Sequence, residues 1–65
     1  AERLIRAALQ RMPDEAELHH ELGRSLARQG RMREGVAAVE RAVRLAPSDV
    51  AYARTLTALK AELKR

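Results

Sequence analysis

With 65 residues the chain can hold one domain at most, and a domain of this size buries only about 60% of the surface its unfolded chain would expose. The absence of cysteine excludes disulfides, thiolate metal sites and thiol nucleophiles, so stability has to come from helix packing. Lysine and arginine number 13 against 9 acidic residues, but the two signs are interleaved, so the net charge of +4 reads as solvated helix faces rather than a block for an anionic polymer.

Alanine, leucine, arginine and glutamate dominate, and this composition favours helix over strand at nearly every position. Leu4, Ile5, Ala8, Leu9 and Met12 recur at helical spacing and predict a first helix over residues 2–12, ended by Pro13. Asp14 is placed to cap a second helix over 15–29, with Glu17 three residues on completing a capping box. The inward stripe of that helix is Leu18, Leu22, Ser25 and Leu26, and Gly30 stands where a left-handed C-terminal cap is wanted. A third helix over 32–46 carries Val36, Val39, Ala42 and Val43 and stops at Pro47. Ser48 is expected to cap a fourth helix over 49–64, whose Tyr52, Leu56, Leu59 and Leu63 predict the strongest amphipathic stripe of the chain. Connections this short make the helices antiparallel neighbours.

No apolar run approaches the roughly 18 residues needed to cross a bilayer, and the N-terminus lacks the apolar core of a secretory signal. The chain reads as soluble. It starts at Ala1 already inside a helical pattern, which suggests a piece of a longer protein and leaves the compartment open.

A shift of 34 residues pairs Ala8 with Ala42, Pro13 with Pro47, Leu22 with Leu56 and Ala27 with Ala61, while Ile5 meets Val39 and Leu9 meets Val43. Within that period, His19-x-x-Leu22-Gly23-x-x-Leu26, then Gly35-x-x-x-Val39-x-x-Ala42 and Pro47, resembles the tetratricopeptide repeat family. His19, Leu26 and Gly35 replace the family's usual aromatic, tyrosine and alanine. Gly23 in mid-helix costs about 1 kcal/mol against alanine and is best explained by a close approach of two helices, which small Ala42 also fits. Gly35 is expected to loosen the start of the third helix.

The resemblance implies an all-α helical-repeat solenoid of four antiparallel helices forming one domain over 1–65. Residues 1–15 would be the second helix of a preceding repeat, 16–49 one full repeat, and 50–65 a terminal capping helix. Thr57 and Lys60 stand where Gly23 and Leu26 stand one period earlier, so the last helix is polar where a further helix would pack and the array is expected to end there.

Only Glu17, His19 and His20 invite a metal or catalytic reading. Glu17-x-x-His20 has the spacing of a carboxylate-bridged metal site but lacks the second copy such sites need. Adjacent histidines point about 100° apart on a helix, which suits a core His19 and an exposed His20 in a groove. Ser25 has no glycine-rich elbow and no loop cradles phosphate, so no enzyme and no cofactor are implied. A helix-turn-helix reader of nucleic acid is weakened because only Arg33 stands near the start of the candidate recognition helix.

By resemblance, then, the chain is a non-catalytic protein–protein interaction module with a concave groove for a peptide or partner helix. The groove would be lined by Glu17, His20, Glu21, Arg24, Ala27 and Arg28, joined by Ala51, Arg54 and Thr55. The lysine and asparagine pattern that clamps a chaperone's C-terminal tail is missing at these positions. Arg24 and Arg28 form a like-charge pair at a spacing of four, relieved only at Arg24 by Glu21. With Arg54 converging on them, the groove would prefer an acidic partner. The alternative is self-assembly through the end helices, as a homodimer or a structural segment of a longer solenoid.

Overall fold

Prolines and glycines punctuate the chain as their backbone chemistry requires. The computed structural model describes residues 1–65 and consists of α1 (Glu2–Arg11), α2 (Ala16–Arg28), α3 (Met32–Leu45) and α4 (Val50–Leu63), with no strand. Each boundary falls within one residue of its expected position. Each helix packs on its neighbour in the chain, α2 on α3 most extensively, while α1 and α4 share no interface. The result is a flat stack measuring 35 × 27 × 13 Å, not a closed bundle.

Gly30 ends α2 as expected. Its φ of 83° lies in the left-handed region, and its amide bonds the Ala27 carbonyl at 3.0 Å while the Arg31 amide reaches back to Leu26 at 3.0 Å. These two bonds satisfy carbonyls that the helix end would leave orphaned. The helix starts depart from expectation by one position. Glu15, not Asp14, is the N-cap of α2 and makes no side-chain cap bond, so no capping box forms. Asp14 instead pairs with Arg41 of α3 at 3.2 Å. At the equivalent place one period later Asp49, not Ser48, caps α4, accepting the amides of Ala51 at 2.9 Å and Tyr52 at 3.4 Å. In both turns the cap falls two residues after the proline, and there only the short aspartate can fold back onto its own helix.

The core is Leu22, Leu26, Val36, Val39, Ala42 and Tyr52, with Val39 and Ala42 fully buried and Leu26 only 2% exposed. Burying Leu26 or Val39 contributes roughly 1.5–3 kcal/mol each. That core sits where α2 crosses α3, and glycine sets the distance of the crossing. A Cβ on Gly23 would lie 2.3 Å from the Val39 Cγ2 and 2.8 Å from the Gly35 carbonyl oxygen. A Cβ on Gly35 would lie 2.8 Å from the Gly23 carbonyl oxygen. Gly35 therefore does not loosen α3; it is the second half of the contact that Gly23 begins.

The ends are thinner. No residue of α1 is buried, and Leu4 and Met12 are 76% and 51% exposed. The expectation for α4 is also corrected: it is the least amphipathic of the four helices, because Val50, Ala51, Ala53, Ala58 and Ala61 spread apolar surface around its circumference. Tyr52 alone of its stripe is buried; Leu56 and Leu59 are half-buried and Leu63 is exposed.

Candidate functional site

Two polar bridges tie α2 to α4 across the stack. The Tyr52 hydroxyl donates to the Glu17 carboxylate at 2.9 Å, and His20 Nε2 lies 2.8 Å from the Thr55 hydroxyl. Thr55 donates its single hydroxyl hydrogen to the Ala51 carbonyl at 3.1 Å, so its oxygen accepts from His20 and Nε2 carries the hydrogen. The His20 and Tyr52 rings contact each other at a centroid distance of 4.7 Å and a 38° tilt. Ionising Tyr52 would break the bond to Glu17 and set a phenolate beside a carboxylate; that bond first, and burial second, push its pKa up to about 12.

These bridges reverse the roles expected of the two histidines. His20 is buried, 8% exposed, and forms the floor between α2 and α4 instead of an exposed groove wall. His19 is half-buried and hydrogen-bonds the Pro13 carbonyl at 2.7 Å, fastening the turn that precedes α2 rather than filling the core. The error is one of helix rotation: Tyr52 and Thr55 roof the His20 side of α2, a contact made 35 residues away in sequence. Glu17 and His20, the pair with metal-site spacing, point to different partners, and no three His, Asp or Glu side chains gather where an ion could be held.

Around that floor, Glu17, Arg24, Arg28, Ala51 and Arg54 are exposed, and Glu21, Ala27 and Thr55 are half-buried. Glu21 pairs loosely with Arg24 at 3.7 Å, as its spacing requires. The three arginines do not converge. Arg28 lines a cleft shared with α1, whereas Arg54 lines a shallow depression on α4 with Val50, Ala53, Thr57 and Ala58.

The cleft between α1 and α2 has a volume of about 740 Å³ and is walled by Arg3, Arg6 and Arg28, with Glu2, Ser25 and Gln29. Glu2 anchors α1 there. Its carboxylate accepts from Arg6 at 2.7 Å and from Gln29 and Arg31 at 3.0 Å each, and the Arg6 bond leads in holding it below the usual carboxylate range. Arg31 also grips Glu34 through two bonds of 2.8 and 2.9 Å; these lower the Glu34 pKa and raise that of Arg31. Sequence reading missed this cleft because Arg3 and Arg6 lie on a helix that was assigned no groove role.

A flat succession of antiparallel helices, closed by a tight glycine crossing and punctuated by prolines at a 34-residue period, defines a helical-repeat protein. The sequence model of one such family, described as tetratricopeptide repeat, matches residues 1–63. The chain belongs to the tetratricopeptide repeat family. Comparison with curated proteins and with solved structures returned no match. The family mediates protein–protein interaction and scaffolding, and no helix here is long and apolar enough to cross a membrane.

Proposed function

We propose that the chain is a non-catalytic interaction module that lays a partner's peptide or helix across α2 and α4. The observation supporting this reading is the pair of bridges from Glu17 and His20 to Tyr52 and Thr55, which hold the two helices side by side. Glu17, Glu21, Arg24, Ala27 and Arg28 would contact the partner from α2, and Ala51, Arg54 and Thr55 from α4. His20 supports them from beneath. Small Ala27 and Ala51 leave room for a partner's side chains, while Glu21 and Arg24 offer charges of both signs. In this reading residues 16–49 form the full repeat and residues 1–15 and 50–65 its flanking halves.

Panning a randomised peptide library against the chain tests the reading. Recovered peptides should lose affinity when Ala51→Arg or Arg24→Glu alters the surface, and keep it with Arg44→Gln on the exposed side of α3. Peptides indifferent to the first two variants would refute it.

A second reading, assembly through the ends, draws support from the open apolar groove of Leu4, Ala7, Ala8 and Met12 on α1 and the depression around Val50 and Ala53 on α4. By the 34-residue correspondence, Ala8 and Thr57 stand where α3 and α2 bury Ala42 and Gly23, while Ala7 and Ala58 stand where Arg41 and Arg24 are exposed. Thr57 opposes the match, because it stands where Gly23 has no room for a Cβ. Sedimentation over a wide concentration range separates the readings: a stable dimer favours assembly, a monomer the binding module.

A further inference from the structure

Basic side chains outnumber acidic ones 13 to 9, yet the ion pairs are unevenly shared. Glu2, Asp14, Glu21, Glu34, Glu40 and Glu62 each hold an arginine or lysine within 3.7 Å. Glu15, Glu17 and Asp49 hold none, and these three stand at one corner of the molecule. Glu15 and Asp49 are the N-caps of α2 and α4, and Glu17 in the first turn of α2 is joined to α4 by the Tyr52 hydroxyl at 2.9 Å. Beyond the Glu17 bond and burial, the charges of Glu17, Asp49 and Glu15 each help to raise the Tyr52 pKa, so all three lie close to the same hydroxyl.

Most of their oxygens are open. Asp49 gives only Oδ1 to the amides of its own helix, Glu17 gives only Oε1 to Tyr52, and the Glu15 side chain makes no cap bond and no ion pair. The two helix N-termini each contribute about half a positive charge, which leaves the corner with about −2.

His20 is the second, independent feature. It is 8% exposed, its ring lies against Tyr52 at 4.7 Å, and its Nε2–H is donated to Thr55. That tautomer leaves a lone pair on Nδ1, which has no hydrogen-bond partner in the protein. No side-chain nitrogen or oxygen closed to solvent lacks a partner, so Nδ1 is open. Because α3 packs on both α2 and α4 from behind, the opening lies on the surface across those two helices.

Resting on the reading that a partner crosses α2 and α4, we propose that the N-terminal end of this surface seats a basic side chain, lysine or arginine, of the partner segment. Glu15, Glu17 and Asp49 supply the charge, and His20 Nδ1 supplies a neutral acceptor on the floor. A guanidinium or ammonium carries several N–H donors and no acceptor, which matches such a set, and its charge-assisted bonds are roughly twice as strong as neutral ones. The sequence alone points the other way, to an acidic partner held by Arg24, Arg28 and Arg54. Those arginines diverge, whereas the carboxylates without a cation gather.

Titrating the ¹⁵N-labelled chain at low ionic strength with capped tripeptides, acetyl-Gly-X-Gly-amide with arginine, lysine, glutamine or glutamate as X, tests the proposal. The amides of Glu17, Ala51 and Tyr52 and the Nδ1 signal of His20 should shift saturably with arginine and lysine, and added salt should weaken the binding. A chain combining Glu15→Gln, Glu17→Gln and Asp49→Asn keeps the Tyr52 bond and the α4 cap, since each amide retains an acceptor oxygen, and should bind the arginine peptide about tenfold more weakly. Glu62→Gln, which removes a charge at the far end of α4, should bind it as wild type does. Glutamine or glutamate peptides that bind as tightly as arginine, wild-type affinity in the triple variant, or an equal loss in Glu62→Gln would overturn the proposal. The two readings fail separately. Library peptides sensitive to Ala51→Arg beside an arginine tripeptide that moves nothing would remove the basic-residue seat alone. Arginine shifts at this corner beside library peptides indifferent to Ala51→Arg would instead remove the path across α2 and α4.

Discussion

Replacing Gly23 with alanine puts a methyl group where α2 and α3 leave no room for one. In an open helix the change would stabilise by about 1 kcal/mol, the difference in helix propensity. Here the new Cβ would lie 2.3 Å from the Val39 Cγ2 and 2.8 Å from the Gly35 carbonyl oxygen. Val39 is fully buried, so its side chain can yield only by leaving its rotamer, at a cost of about 0.5–1.5 kcal/mol. The Gly35 oxygen is backbone and moves only with α3, and forced insertion of a methyl group into a packed core costs about 1–3 kcal/mol in all. Contacts of 2.3 and 2.8 Å place this change in the upper half of that range, about 2–3 kcal/mol, so after subtracting the propensity gain Gly23→Ala should destabilise by about 1–2 kcal/mol. For a chain of this size that lowers the melting temperature by roughly 4–16 °C. Thermal unfolding followed by circular dichroism at 222 nm measures it, with Ala37→Gly on the exposed face of α3 calibrating the propensity term at about 1 kcal/mol. A Gly23→Ala chain as stable as wild type, or more so, would show that the glycine crossing does not set the helix spacing.

Gly30→Ala should destabilise by about 1–2 kcal/mol through backbone strain alone, since φ is 83° and a Cβ there would meet nothing within 4 Å. Urea unfolding checks this, and Gly30→Asn should recover part of the loss because asparagine tolerates the left-handed region. The raised Tyr52 pKa favours the neutral phenol in the folded chain, so its contribution to stability is complete below the unfolded value of 10 and lost as pH climbs through about 12. Absorbance at 295 nm should place the phenol midpoint near 12 in the folded chain, and Tyr52→Phe should flatten the fall in melting temperature between pH 10 and 12. A midpoint near 10 would refute the Glu17 bond.

The helices were legible because their punctuation is local. Pro13, Gly30 and Pro47 act through their own backbone angles, and the stripes of α2 and α3 follow helical period without help from distant residues. The caps were misplaced by one residue at both prolines, because Asp14 and Ser48 are good capping types but stand one position early, and only the turn geometry decides that. Gly35 and His20 were misread for a different reason. What each touches lies on another helix: Gly23 for the first, Thr55 and Tyr52 for the second. Periodicity says which face of a helix is apolar, not which neighbour arrives to cover a polar residue at its edge. The unexpected roles of Gly35, His20, Arg3 and Arg6 all belong to such contacts between helices.

Because the extensive interfaces join helices consecutive in the chain, and only the bridges from α2 to α4 do not, most packing can form without closing a long loop, and this sets an order of assembly. The α2–α3 pair, joined through Gln29, Gly30 and Arg31 and containing nearly all of the core, can form alone. Helix α4 docks afterwards, and the bonds from Glu17 and His20 to residues 35 positions away are among the last to close. The outer helices can then detach and return while the centre stays intact, as in other one-dimensional stacks. A partner lying across α2 and α4 would bind only the docked form, so its arrival would slow hydrogen exchange throughout α4, including amides it never touches.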